Sequence, residues 1–87
     1  MRIVNAGRRV RVAAGGFSPG SVVRLVWVTA DGDELAMGSA PVDAAGRFDA
    51  RPKIPEAAPL GVGQILALGT GIDAPEVNRV WRLTVVP

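Results

Sequence analysis

AAGGFSPGSVVRLVWV, residues 13–28, is the stretch that decides the fold of this chain. An apolar–polar alternation runs up to two glycines, the chain continues as Phe-Ser-Pro-Gly, and a valine-rich segment then begins. Glycine permits the positive φ angles that a sharp bend needs, and Pro19-Gly20 fits the central positions of a type II turn. The stretch therefore predicts a strand that ends at residues 15–16, a corner plugged by Phe17, and a central strand of a small β-sandwich.

Composition places the chain among small globular proteins. It has 87 residues, of which 48% are hydrophobic and 21% charged, and these values favour one folded domain over residues 1–87. No run approaches the roughly 18 apolar residues of a membrane span, so no membrane insertion is expected. The N-terminus MRIVNAGRRV lacks the apolar core of a signal peptide, which indicates either a cytoplasmic product or a domain of a longer protein.

The missing residue types restrict the chemistry. The chain has no cysteine and no histidine, which excludes disulfides, thiolate nucleophiles, the commonest general base and the commonest transition-metal ligand. We therefore expect no enzyme activity, no catalytic residue and no cofactor. Ten basic residues against eight acidic ones give a net charge of only +2, which is a weak indication of nucleic-acid binding.

Alternation of apolar and polar residues predicts strands throughout, and Pro59, Gly61 and Gly63 interrupt the best helical candidate. Asp31-Gly32 is a strong hairpin signal. We expect an all-β, immunoglobulin-like β-sandwich of about seven short strands. The predicted segments are Ile3-Val4, residues 9–13, residues 21–29, a short strand through Leu35 and Met37, a brief segment at 40–43, and residues 47–54, 63–69 and 78–86.

Parity assigns the faces of these strands, because successive side chains of a strand point to opposite sides. The four aromatic residues, Phe17, Trp27, Phe48 and Trp81, are expected in the interior, where they bury large areas. The other predicted inward positions are Val10, Val12, Val23, Leu25, Leu35, Met37, Val42, Ala50, Ile54, Ile65, Ala67, Leu83 and Val85.

Three motifs carry a resemblance to a known family. GGFSPGSVVRL holds a Gly-Phe-x-Pro-Gly corner, GRFDARPKIP a Gly-x-Phe strand start that ends in Ile-Pro, and PLGVGQILALG a Pro-x-Gly strand entry. Over nearly its whole length the chain resembles the bacterial immunoglobulin-like repeat modules of surface and secreted proteins. The resemblance implies the sandwich fold and a stalk, adhesion, spacer or accessory role. The matching residues are Gly16, Phe17, Pro19, Gly20, Gly46, Phe48, Ile54, Pro55, Pro59 and Gly61.

The segment DGDE, residues 31–34, is both a departure from that family and a candidate metal site. A tight hairpin here is not the sheet-crossing connection that an immunoglobulin topology has after the corresponding strand. Its three carboxylates, Asp31, Asp33 and Glu34, supply fewer ligands than the six to eight oxygens of a calcium site. A solvated hairpin tip is therefore expected, with no bound metal.

Arginines predict one candidate polyanion surface. If the first and last strands pair, Arg9, Arg11 and Arg82 gather into a basic stripe that suits phosphates or acidic polysaccharide. Single-stranded nucleic acid also needs exposed aromatic rings for stacking, and the four aromatic residues are expected inside. We therefore expect no nucleic-acid partner, whereas a polysaccharide ligand stays open.

Outward side chains of the last two strands indicate a partner-binding surface. These strands normally pair in an immunoglobulin-like sandwich, so their outward apolar side chains fall side by side. Val22, Val26 and Val28 are also outward by parity. We expect a protein partner or a second copy to cover this side. The predicted partner-binding residues are Leu66, Leu68, Val80, Arg82 and Val86.

The sequence therefore favours a non-catalytic structural or interaction module. Its first form is a spacer or adhesion repeat of a longer bacterial protein, at the cell surface or outside the cell. If residues 1–87 are the whole protein, a small docking or decoration protein on a virion, filament or cytoplasmic assembly is the alternative. A third hypothesis is an accessory polysaccharide-binding module of an enzyme.

Overall fold

The computed structural model describes residues 2–87, and their regular secondary structure is entirely β-strand. These residues form no helix, and therefore no helix that is long and apolar enough to cross a membrane. The strands are β1 (Arg2–Asn5), β2 (Val12–Ala14), β3 (Val22–Thr29), β4 (Glu34–Pro41), β5 (Phe48–Ala50), β6 (Gly61–Gly69) and β7 (Val77–Val86).

Two sheets of unequal size enclose the core. The large sheet has the order β1-β7-β6-β3-β4, and the small sheet pairs β2 with β5. β1 runs parallel to β7, whereas the other pairs are antiparallel. The predicted all-β, immunoglobulin-like sandwich of seven strands is confirmed. The predicted Asp31-Gly32 hairpin is also present, and it joins β3 to β4 within the large sheet instead of crossing to the small one.

The corner at residues 18–21 has the predicted turn. The Ser21 amide donates a hydrogen bond to the Ser18 carbonyl at 3.1 Å, and Gly20 has a φ of 80°, as a type II turn requires. Phe17 is fully buried, and its amide donates to the Gly46 carbonyl at 3.0 Å. The corner therefore positions Phe17 as a plug at one end of the sandwich.

β4 differs from the two short segments predicted for this region, at Leu35–Met37 and at residues 40–43. It is one strand over Glu34–Pro41, and a register shift opposite Leu25 and Val26 marks a β-bulge. Gly38 lies at this bulge with a φ of 98°. A bulge inserts one extra residue, which reverses the side-chain parity beyond it. Met37 and Ala40 consequently both face the core, so the alternation breaks although the strand continues.

The core follows the predicted faces closely. Every predicted inward residue is either buried or packed against the buried cluster, where Leu35, Met37, Ala50 and Trp81 belong to the half-buried group. Four further valine and alanine side chains are buried that the prediction did not include: Val4, Val26, Ala40 and Ala58.

Two aromatic side chains lie directly over glycines of β6. A Cβ atom built on Gly63 would lie 2.1 Å from Cζ2 of Trp27, and one built on Gly69 would lie 2.7 Å from Cδ1 of Phe17. Contacts under 3.0 Å do not occur for real Cβ atoms. Because Gly63 and Gly69 have no side chain, the two large rings can occupy the space above them.

Trp81 closes one side of the sandwich and is half-buried. β1 pairs only with the last part of β7, beginning at Leu83, which leaves the preceding part of β7 at the sheet edge. The Trp81 ring reaches across this open side and meets the Phe48 ring edge-on, with centroids 6.2 Å apart. A large ring at an unpaired edge thus links β7 to the small sheet.

We predict that Gly63→Ala strongly destabilises the domain. The added methyl group overlaps the rigid, buried Trp27 ring, and overpacking of this kind costs about 1–3 kcal/mol or more. The expected total stability of 87 residues is only about 4–13 kcal/mol. Chemical denaturation measured by tryptophan fluorescence gives the difference.

Gly15→Ala is the matched control, because Gly15 lacks a positive φ and its nearest neighbour is the flexible Arg47 side chain. A second variant isolates the cause: in a Trp27→Phe background the outer indole ring is absent, so Gly63→Ala should cost less there. If Gly63→Ala lowers the free energy of unfolding equally in both backgrounds, the loss does not come from a contact with the Trp27 ring.

Candidate protein-contact face

The strand registers arrange the outward side chains of the large sheet in rows. One row crosses four strands and contains only apolar residues, each directly opposite its neighbour. We call it the central row, and its members are Val80 (β7), Leu66 (β6), Val26 (β3) and Ala36 (β4).

The rows on either side of the central row are mixed. The charged row ends in an arginine on β7 and a glutamate on β4, and consists of Arg82, Gln64, Val28 and Glu34. The opposite row is polar except for one leucine, and consists of Asn78, Leu68, Arg24 and Ser39. We refer to the three rows and the apolar side chains beyond them as the outer face.

Exposed hydrophobic side chains concentrate on the outer face. Within residues 2–87, six large hydrophobic residues are exposed. Four of them lie on the outer face by register, at Ile3, Val22, Val62 and Val80. The other two, Leu60 and Ile72, lie in loops. Val26 is only 4% exposed although it points away from the core, because neighbouring strands flank it on both sides.

The predicted partner-binding residues all lie on the outer face, but they do not form a single cluster. Leu66 opposes Val80 directly, Leu68 is the next outward residue of β6, and Arg82 is the next of β7. Val86 lies at the far end, where it pairs with Asn5 of β1. The structure thus brings four of the five together and separates Val86 from them.

Sequence reasoning missed part of the face. The β3–β6 pairing places Val26 beside Leu66, and this contact joins residues that are far apart in sequence. Val62 was missed because the predicted strand began at residue 63, whereas β6 begins at Gly61. Ile3 was predicted to be in an edge strand, but its side was not assigned.

The outer face is uneven. On the β6–β7 half, the larger side chains Leu66, Leu68 and Val80 form a ridge. On the β3–β4 half, a shallow groove of about 450 Å³ runs beside the bulge. Its lining on this face consists of Arg24, Val26, Glu34, Ala36, Gly38 and Ser39. The small residues Ala36 and Gly38 explain why this half is lower.

The predicted basic stripe of Arg9, Arg11 and Arg82 is wrong, because the structure separates its members. Arg82 lies on the outer face, whereas Arg9 opposes Lys53 beside the small sheet. Arg11 makes a two-pronged ion pair with Asp49, with Nη2 2.6 Å from Oδ2. The grouping failed because β1 pairs with β7, while the segment that contains Arg9 and Arg11 pairs with the small sheet.

The ion pair between Arg11 and Asp49 shifts the pKa values of both groups. The hydrogen bond from Arg11 lowers the pKa of Asp49, and the charge of Arg51 adds to this. The same hydrogen bond raises the pKa of Arg11. Both side chains are more than half exposed, so solvent screens the interaction and its contribution to stability is small.

The small-sheet surface is cationic apart from Asp49 and Glu56, whose Oε1 lies 3.2 Å from Lys53 Nζ. Continuing the register of Val12 with Ala50 places Arg11 opposite Arg51, next to the bridge of Arg9 with Lys53. Like charges directly opposed on paired strands are destabilising. We call the surface of Arg9, Arg11, Arg51, Lys53 and Asp49 the cationic face.

The DGDE segment forms the predicted hairpin tip. The Thr29 amide donates to the Asp33 carbonyl at 2.9 Å, and the Asp33 amide donates to Thr29 Oγ1 at 3.1 Å. Asp31, Asp33 and Glu34 are exposed. Within residues 2–87 the structure brings no three potential metal ligands together.

Comparison of the chain with protein-family models, with curated proteins and with solved structures gives no match. The description of the outer face therefore rests on the structure alone.

We predict that Asp49→Asn lowers stability at neutral pH and has no effect in strong acid. The pKa of Asp49 is lower in the folded state, so the carboxylate stabilises the fold above its ordinary pKa and loses this effect as the pH falls through the folded value. Thermal melts of both proteins at pH 7 and pH 2 measure the difference. Asp73→Asn, in an exposed loop, is the control. A difference at pH 2 as large as the difference at pH 7 would contradict this account.

Proposed function

We propose that this domain is a non-catalytic interaction module that binds protein through its outer face. The observation that carries the proposal is the concentration of four of the six exposed large hydrophobic residues on that face. Contiguous exposed apolar surface is uncommon on monomeric proteins and marks contact sites. A sheet that is apolar on both sides is also typical of a sheet covered on both sides.

The rim of the face supports a protein partner. Arg82, Glu34 and Arg24 surround the central row, and polar groups around an apolar centre are the usual anatomy of a protein interface. The charges fix orientation, whereas the apolar centre supplies most of the affinity. A bilayer surface or a neutral sugar would not need carboxylate and guanidinium groups at opposite ends of one row.

The resemblance to bacterial immunoglobulin-like repeats extends the proposal. The domain would act as a spacer or adhesion repeat of a surface or secreted protein, outside the cell. A docking or decoration protein on a virion, filament or cytoplasmic assembly would use the same face and is the alternative.

A photo-crosslinking experiment tests the contact. A photoreactive phenylalanine derivative replaces Val80, which is 52% exposed on the outer face, or Leu60, which is 65% exposed in a loop. The full protein is irradiated in the cells that produce it. We expect a discrete crosslinked product at position 80, identified by mass spectrometry, and little at position 60.

Equal crosslinking at the two positions, or none at position 80, would overturn the proposed function. A product that contains either a second copy of the chain or another protein would support it. The two sites have comparable exposure and both are hydrophobic. A higher crosslinking yield at position 80 therefore reflects its place on the outer face and not nonspecific hydrophobic contact.

Binding of an acidic polysaccharide is a second candidate function, and the cationic face favours it. Arg9 opposes Lys53 and Arg11 opposes Arg51. Asp49 pairs with Arg11 and Glu56 with Lys53, so these four cations and two carboxylates leave an excess of two positive charges, which a polyanion would neutralise. Arg9 Nη1 donates to the Arg51 carbonyl at 2.8 Å, which holds its guanidinium in place. All four aromatic residues are buried or half-buried, so the face suits acidic groups rather than stacked neutral sugars.

Affinity chromatography on a sulfated glycan such as heparin tests this second candidate, with neutral dextran as the control matrix. Arg51→Ala should elute at lower salt, because one cation is lost. Asp49→Asn should elute at higher salt, because the neutralising carboxylate is lost. If both variants elute with the wild type, the cationic face is not a polyanion site.

A further inference from the structure

We propose that the occupant of the outer face is a second copy of this chain, related by a two-fold axis parallel to the strands and midway between β6 and β3. This inference rests on the proposed function, because it names the partner of the same face. The observations behind it are the registers, the charges and the relief of the face itself.

A two-fold axis along the strands sets each row against the same row of the other copy, reversed end to end. In the central row, Leu66 then faces Val26 of the second copy, and Val80 faces Ala36. Sheets packed face to face lie about 10 Å apart with nearly aligned strands. The apolar row therefore meets an apolar row along its whole width.

The charged row is complementary to itself under the same rotation. Arg82 lies at its β7 end and Glu34 at its β4 end, so reversal brings each arginine opposite the glutamate of the second copy. The symmetry makes two such contacts per dimer. Both side chains are exposed and long enough to span the space between packed sheets.

The relief of the face fits the same arrangement. The rotation places the ridge of Leu66 and Val80 of one copy against the groove beside Ala36 and Gly38 of the other copy. Each copy supplies one ridge and one groove, so both are filled at once. Arg24 falls opposite Leu68 of the second copy, near the edge of a surface recess that Glu76 of its own chain also lines.

The other face-to-face two-fold axis, perpendicular to the strands, fails on these observations. It would place Val80 on Val80 and Ala36 on Ala36, so ridge would meet ridge and groove would meet groove. Arg82 would lie opposite Asn78, and Glu34 opposite Ser39, with no pairing of opposite charges. The registers therefore select the axis along the strands.

The size of the face sets the expected strength. Four strands at about 4.8 Å spacing and five rows at about 6.8 Å give roughly 650 Å² per copy, or about 1,300 Å² in total. This is at the lower limit of specific interfaces. The dimer is therefore concentration-dependent, with dissociation measurable at micromolar concentrations.

A charge exchange tests the geometry. Sedimentation velocity over a concentration series measures dimerisation of the full chain. Arg82→Glu alone and Glu34→Arg alone each create two like-charge contacts and should weaken dimerisation at least tenfold. The double variant Arg82→Glu/Glu34→Arg restores two opposite-charge contacts and should recover to within about threefold of the wild type.

The controls separate folding from assembly. Both positions are exposed, and thermal melts of dilute samples check that each variant is folded. Arg47→Glu, which also reverses an exposed arginine but lies outside the outer face, should dimerise like the wild type. If the double variant recovers dimerisation, residue 82 of one copy contacts residue 34 of the other copy.

Three outcomes would overturn the inference. A wild-type chain that stays monomeric up to millimolar concentration would exclude the second copy. Dimerisation without recovery in the double variant would exclude the two-fold arrangement. A crosslink from position 80 only to a different protein would exclude self-association in the cell, yet the proposed function would stand, because the face would still bind protein.

Discussion

The contact of two aromatic rings with two glycines of β6 is the constraint on which the rest of the structure depends. Trp27 lies over Gly63 and Phe17 over Gly69, so the largest side chains enter the core where β6 has no side chain to oppose them. A small domain has a thin margin of stability and must bury large rings efficiently. The Trp27 Nε1 atom is buried, and none of the described residues accepts a hydrogen bond from it.

The same arrangement has a consequence for the outer face. β6 and β3 are neighbours in the interior of the large sheet, and their inward positions include Trp27 and the two glycines, Gly63 and Gly69. Six of their eight outward positions are nevertheless leucine or valine, and Val26 is buried on the side away from the core. A sheet needs one apolar side to form a sandwich. The second apolar side has no role in that packing, which is why it points to a contact outside the domain.

The sequence was sufficient for properties that depend on local alternation and insufficient for those that depend on pairing. Parity placed Leu25 and Trp27 inside and Leu66 and Val80 outside, because each strand keeps its period of two between bulges. The bulge at Gly38 reversed the parity of β4 and made one strand look like two. The pairing of β3 with β6 connects segments about forty residues apart, and no local pattern specifies it. The basic stripe failed for that reason, since Arg82 and Arg9 belong to different sheets.

The two surfaces of the sandwich differ in a way that bears on how copies could meet. The net charge of +2 conceals a cationic small-sheet surface, where Arg51 and Lys53 oppose further cations. Two such surfaces repel each other, so self-contact through the small sheet is disfavoured. The outer face carries one arginine and one glutamate at opposite ends of its charged row, which tolerates a copy of itself in only one of the two face-to-face orientations. Repulsion on one side and self-complementarity on the other together restrict the ways in which this domain can assemble, more than apolar area alone would.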